Sequence, residues 1–127
     1  MLTEGQHAGE FLLSEANGHR SRENVTVTVP ANTTLKAGFV LAKLTATGKY
    51  VPYDNDGSDG SETAAGILRA TLVNDTGAPV DVDAVAYVRA CEVRKGDLQW
   101  AAGLVDADKT AAYDDLAGAA KGVIARD

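Results

Sequence analysis

The chain has 127 residues, with 18 acidic and 12 basic side chains and a net charge of −6. A chain of this length most simply forms one domain with a modest hydrophobic core. The acidic balance argues against nucleic acid as the main partner, because neutralising phosphates requires a basic face.

Residues 1–23 are predicted to form an extended, flexible N-terminal arm. The segment has few apolar anchors and carries both histidines, His7 and His19, so it buries too little surface to offset the entropy cost of ordering. Removing it is therefore expected to leave the domain folded. The run Phe11-Leu12-Leu13 is the exception, and two interpretations stay open: it packs on its own domain, or it contacts a partner.

From residue 24 onward the sequence predicts β-structure. Val25, Val27 and Val29 alternate with threonines, which is typical of a half-buried strand. Apolar runs predict further strands, and Gly38 predicts a bend within the first of them. Those runs cover residues 35–44, 49–53, 64–73 and 80–93.

The last third of the chain predicts a different structure. Residues 96–100 indicate a short turn or a single helical turn. Asp106 and Asp108 offer carboxylates for the start of a helix running to about residue 120. Residues 123–124 are predicted to form a final edge strand. The fold class is therefore a mainly β domain over residues 24–127, with one or two short C-terminal helices.

Cys91 is the only cysteine, so no disulfide can form within the chain. It lies in an apolar run and is predicted to be a small, buried core residue. No apolar stretch approaches the roughly 20 residues that span a bilayer. The N-terminus also lacks the features of a signal peptide. These observations predict synthesis in a reducing cytoplasm and no membrane partner.

An acidic loop carries the carboxylates of Asp54, Asp56, Asp59 and Glu62. An EF-hand interpretation fails, because Asp59 falls where glycine is required and Ala65 falls where the bidentate glutamate is required. A solvated turn is the favoured interpretation. An irregular calcium site remains the alternative.

The sequence predicts no enzymatic activity, no cofactor and no metal site. Four acids on one loop differ from the carboxylate pairs of glycosidases, which flank the scissile bond from separate elements. No phosphate loop, dinucleotide fingerprint or hydrolase motif occurs. A sugar platform could use aromatic side chains, but their spacing in β runs favours core packing; these are Tyr50, Tyr53, Tyr87 and Trp100.

The segment from residue 48 to residue 68 resembles the bacteriophage head decoration proteins, the family of the lambda capsid-stabilising protein. The similarity continues through Leu98-Gln99-Trp100, which resembles a Leu-Trp motif of that family, although Ala101 stands where proline is frequent. The matching positions in the segment are Tyr53, Asp54, Asp59, Gly60, Gly66, Ile67 and Leu68.

The resemblance implies a β-clip-like domain that forms a homotrimer on the outer surface of the expanded phage head, bound to the major capsid protein. The arm is then expected to add strands to the shell, through Phe11, Leu12, Leu13, Val25 and Val27. A calcium- or glycan-binding β-module on a virion surface is the alternative function. It predicts a melting temperature that rises with calcium.

Overall fold

The computed structural model describes residues 11–15, 21–118 and 121–127 of the chain. Within them the chain forms ten β-strands, one α-helix and one turn of 3-10 helix at Lys95–Asp97. The prediction of a mainly β domain with a C-terminal helix is confirmed. The elements are β1 (Leu12–Glu15), β2 (Arg22–Val29), β3 (Thr33–Leu35), β4 (Val40–Lys43), β5 (Tyr50–Pro52), β6 (Ala64–Leu68), β7 (Leu72–Asn74), β8 (Val80–Tyr87), β9 (Cys91–Arg94), α1 (Asp106–Ala117) and β10 (Val123–Arg126).

Five of these strands close into a barrel in the order β2-β5-β4-β6-β8. The longest pairing is antiparallel and joins β2 to β8 along the whole of both strands. Strands β2 and β5 close the barrel where Val27 pairs with Tyr50 in parallel. The alternating valines predicted β2 correctly, and they face the barrel interior, since Val27 and Val29 are fully buried.

Three other strands of the described chain form a second sheet in the order β1-β9-β10. Strand β1 runs antiparallel to β9 and β10 runs parallel to it, so β10 lies at an edge, as predicted for residues 123–124. The remaining pair, β3 and β7, forms an antiparallel ribbon. Helix α1 contacts β6 of the barrel and β10 of the second sheet and thereby joins the two sheets.

The prediction of continuous strands over residues 35–44 and 64–73 is wrong. Strands β3 and β4 are separate, and so are β6 and β7. Gly38, in the first break, has a φ of +90° and donates its amide hydrogen to the Leu68 carbonyl at 2.8 Å. The two breaks lie side by side. Strands β4 and β6 pair with each other in the barrel, whereas β3 and β7 pair with each other in a separate ribbon.

The prediction of one strand over residues 80–93 is also wrong, because β8 belongs to the barrel and β9 to the second sheet. Ala90 lies between them with a φ of +51°. An alanine in this region costs about 1–2 kcal/mol. Its amide donates to the Lys121 carbonyl at 2.8 Å, so tertiary structure holds a conformation that the local sequence does not signal.

Helix α1 is shorter than predicted and ends at Ala117, where the Gly118 amide donates to the Asp115 carbonyl at 3.3 Å. The end predicted near residue 120 lies outside the described residues. At the other end, Asp108 accepts a hydrogen bond from the Val105 amide at 3.2 Å. Asp108 therefore caps the helix from within its first turn.

Two hydrophobic clusters of the described chain share the barrel wall. One fills the barrel and includes Val27, Val29, Leu41, Tyr50 and Leu68. The other lies between the barrel, the second sheet and α1, and it includes Phe11, Tyr53, Ile67, Tyr87 and Leu116. Because successive strand residues point to opposite faces, the neighbours Ile67 and Leu68 enter different clusters, which explains why β6 is apolar throughout.

Part of the predicted arm belongs to the folded domain. Phe11 is fully buried, residues 12–15 form β1, and β2 already begins at Arg22. Of the two interpretations left open for Phe11, the structure has the one in which it packs on its own domain. With this packing, residues 1–23 cannot be removed without loss of core contacts.

Cys91 is 4% exposed, as predicted for a core residue, and burial raises the pKa of its thiol from 9.0 to about 12. We expect a thiol-specific disulfide reagent at about pH 8 to label it only after unfolding, because the thiolate is the reactive form. Rapid labelling of the folded protein would contradict this low reactivity.

The raised pKa also makes stability depend on pH. Because the Cys91 thiol ionises at a lower pH in the unfolded chain than in the folded one, the stability that the buried, neutral thiol contributes is complete below pH 9.0. That stability is lost progressively towards about pH 12.

Candidate functional site

The acidic loop, residues 54–62, connects β5 to β6, and the carboxylates of Asp54, Asp59 and Glu62 accept hydrogen bonds from its own backbone. Asp59 accepts hydrogen bonds from the amide and the hydroxyl of Ser61, at 3.2 and 2.6 Å. These bonds hold the pKa of the Asp59 carboxyl below its usual value. Glu62 accepts a hydrogen bond from the Gly60 amide at 3.0 Å. Among the described residues, no group of three or more His, Cys, Asp or Glu side chains is placed to hold a metal ion.

The same loop folds back onto the end of β4. The Asp54 amide donates to the Ser61 carbonyl at 2.8 Å, which closes the loop. Gly60 has a φ of +109°, and a Cβ atom there would lie 2.4 Å from the Lys43 carbonyl oxygen. Position 60 therefore requires glycine both for its backbone angle and for its close approach to β4.

Tyr53 attaches the barrel to α1. Its side chain is 1% exposed, and its hydroxyl donates to the Asp108 carbonyl at 2.9 Å. The Asn55 amide group donates to the Asp108 carboxylate, also at 2.9 Å. Burial, together with nearby carboxylates, raises the pKa of Tyr53, so the phenol remains a neutral donor to the helix.

Trp100 completes this junction. Its ring meets Tyr53 and Tyr113 edge to face, with centroid distances of 6.3 and 5.7 Å, and the Lys109 ammonium lies 5.6 Å from its centroid. Such aromatic pairs contribute about 0.5–1.5 kcal/mol each beyond area burial. Because Tyr50, Tyr53 and Tyr87 are all buried, the packing interpretation of the tyrosines is confirmed.

Close packing also explains the signature of β6. A Cβ atom on Gly66 would lie 3.1 Å from Val88 Cγ1 and 3.2 Å from the Tyr87 carbonyl oxygen. Ile67 and Leu68 fill the two cores. The family-signature positions thus close the loop, fill the cores or fix the helix; these are Tyr53, Asp54, Asp59, Gly60, Gly66, Ile67, Leu68 and Trp100.

The residues predicted to contact a shell have very different exposures. Phe11 and Val27 are fully buried, Leu12 and Val25 are partly buried, and Leu13 is 42% exposed. Strand β2 is already paired with β8 from Arg22 to Val29. In this conformation its valine alternation fills the barrel, so Leu13 is the most accessible member of the predicted set.

The sequence interpretation missed strand β1. A bulge between Leu12 and Ser14 interrupts its pairing with β9, so the alternation that signals a strand is absent. Its last residue, Glu15, accepts a hydrogen bond from the Ser21 hydroxyl and forms an ion pair with Arg22 at 2.7 Å. These contacts fasten β1 to the start of β2.

Two further expectations concern histidines and membranes. His7 and His19 lie outside the described residues, so their placement in the flexible arm stays a prediction. Among the described residues, no helix is long and apolar enough to cross a membrane.

Comparison with known protein families gives one finding that bears on this arrangement. A family model described as bacteriophage lambda head decoration protein D matches residues 1–121 of the chain. The match spans the acidic loop, β6 and the Tyr53–Trp100 junction, and it confirms the resemblance seen in the sequence. No curated protein matches the chain.

Proposed function

Because the chain belongs to the bacteriophage lambda head decoration protein D family, we propose that it is a structural protein that binds the phage head as a homotrimer. In this proposal the trimer lies on the outer surface of the expanded shell, contacts the major capsid protein and stabilises the shell. The family match over residues 1–121 carries the proposal. The protein is made in the host cytoplasm, and its role requires no catalysis, cofactor or nucleic acid.

Stabilisation follows from differential affinity. A protein that binds the expanded shell more tightly than the unexpanded shell shifts the equilibrium towards the expanded state, whereas equal affinity shifts nothing. A trimer also presents three copies of each contact. Once one copy is bound, the other two act at high effective concentration, so modest individual contacts combine into stable attachment.

The N-terminal segment is the contact that we propose for the shell. Phe11 is buried and β1 is paired with β9, so this part of the predicted arm serves as its anchor. We place the shell contact in residues 1–10 and in the exposed side chain of Leu13. Anchoring fixes where the contact segment leaves the domain, which limits the entropy lost on binding.

Co-sedimentation with purified expanded heads tests the function. The native protein should have the molar mass of a trimer in solution, and it should bind heads saturably. A variant lacking residues 2–10 should keep its trimer mass and melting temperature but bind heads at least about tenfold more weakly, since three contacts are lost together. Absence of saturable binding by the native protein would contradict the function. Normal binding by the shortened variant would contradict only the assignment of the contact segment.

A further inference from the structure

A groove crosses the outer face of the β2–β8 pair, on the side away from the barrel interior. Asn24 pairs with Val85 across the two strands, and the Arg69 amide, just after β6, donates to the Val85 carbonyl at 3.0 Å. These three residues therefore lie side by side on one face of the sheet. The groove, called here the Arg69 groove, has a volume of about 390 Å³ and is lined by Arg22, Glu23, Asn24, Arg69 and Val85.

Arg69 has no carboxylate partner among the described residues. Its Nε is buried, and no described group accepts a hydrogen bond from it. The other described arginines all form ion pairs: Arg22 with Glu15, Arg89 with Glu23, Arg94 with Asp97 and Arg126 with Glu92. A guanidinium presents a planar fork of donors that matches a carboxylate. The Arg69 groove therefore has the chemistry to bind a carboxylate.

We propose that the Arg69 groove receives a carboxylate of a neighbouring copy in the homotrimer, an inference that rests on the trimer of the proposed function. The chain itself supplies the complementary charge, since it has 18 acidic against 12 basic residues. Several exposed carboxylates have no partner in the described part of the chain and could enter the groove of a neighbour; these are Asp56, Asp75, Asp106 and Asp114.

Ring symmetry makes such a contact self-consistent. In a cyclic trimer each interface joins two different surfaces, so the groove of one copy meets another part of the next copy. One groove and one acidic surface on each chain are then enough to form the same arginine–carboxylate contact at all three interfaces. Arginine is also enriched among the residues that dominate binding at protein interfaces.

Arg69 can affect assembly without supporting the fold of the single chain. In a single copy its half-buried guanidinium has no ion-pair partner among the described residues, which is costly for a charged group. A neighbour's carboxylate in the groove that Arg69 lines supplies the opposite charge. Arg69 should therefore contribute to assembly, and its removal should not weaken the fold of the separate chain.

Arg69→Met tests the inference, because methionine keeps much of the side-chain length and removes the charge. The molar mass of the full chain is measured by light scattering over a dilution series. We expect the variant trimer to dissociate at a concentration at least about tenfold higher than the native trimer. Arg94→Met, on strand β9 of the second sheet, is the matched control and should leave dissociation unchanged. Arg69→Lys keeps the charge but not the fork and should give a smaller shift.

Melting of dilute, dissociated protein checks the fold separately, and Arg69→Met should melt at or above the native temperature. A lower melting temperature would assign Arg69 to folding and overturn the inference. A native trimer with unchanged dissociation in Arg69→Met would overturn it and leave the proposed function intact. Unchanged dissociation with weaker head binding would also overturn it and assign the groove to the shell. A native chain that is monomeric at every concentration would contradict the trimer itself.

Discussion

Replacement of Phe11 by alanine is expected to lower the free energy of unfolding by about 3–5 kcal/mol. The Phe11 ring is fully buried and meets Tyr87 edge to face, with a centroid distance of 5.6 Å. Its backbone carbonyl accepts a hydrogen bond from the Arg94 amide at 2.9 Å. The ring fills the space between the second sheet and the barrel wall, so its loss leaves a cavity. Denaturant unfolding of both proteins measures the difference.

Leu13→Ala is the matched control, because Leu13 lies in the same strand and is 42% exposed. Its expected effect is within about 0.5 kcal/mol, the usual range for a surface substitution. Equal losses for the two variants would show that Phe11 is no more important to the fold than its exposed neighbour. For the same reason we expect deletion of residues 1–23 to unfold the domain, since it removes both Phe11 and β1.

Gly60→Ala is expected to destabilise the domain by about 3 kcal/mol or more, the sum of a left-handed backbone penalty and the displacement of β4. The new Cβ atom would lie 2.4 Å from the Lys43 carbonyl oxygen, and the φ of Gly60 is +109°. The clash involves backbone, which cannot rotate away as a side chain can. The loop must therefore lift from β4. Thermal or denaturant unfolding of the variant measures the loss.

Two other glycines separate the causes of this effect. Gly103 has a φ of +88° with no atom within 4 Å of a new Cβ, so its replacement by alanine tests the backbone angle alone. Gly77 has the same open surroundings without the positive φ. We expect about 1 kcal/mol of destabilisation for Gly103→Ala and almost none for Gly77→Ala. If Gly60→Ala were as mild as Gly103→Ala, the close approach to β4 would have no energetic weight.

Local sequence patterns predict those elements in which the spacing of apolar residues is regular along the whole element. The alternation of Val25, Val27 and Val29 identifies β2. The breaks between strands were missed because apolar residues continue across them. Gly38 predicts a bend inside one strand, whereas it lies between two strands: β3, which pairs with β7, and β4, which pairs with β6. Ala90 offers no local signal, since its positive φ is stabilised by a tertiary hydrogen bond to the Lys121 carbonyl.

The candidate site divides in the same way. The sequence located the acidic loop and the signature residues, and the resemblance gave their family. The sequence does not decide whether Phe11 packs inward, because a short apolar run is equally consistent with a core and with an interface. The sequence also does not single out Arg69, since an arginine without a partner is recognised only when the positions of all neighbouring carboxylates are known.

Equilibrium binding of the native protein to unexpanded and expanded shells of the same phage tests the proposed stabilisation most directly. The two dissociation constants give the differential affinity on which stabilisation depends. We expect saturable binding to the expanded shell that is about 10- to 100-fold tighter than binding to the unexpanded shell, the usual range for coupled equilibria. Equal affinity for both shells, or no binding to the expanded one, would contradict the proposal.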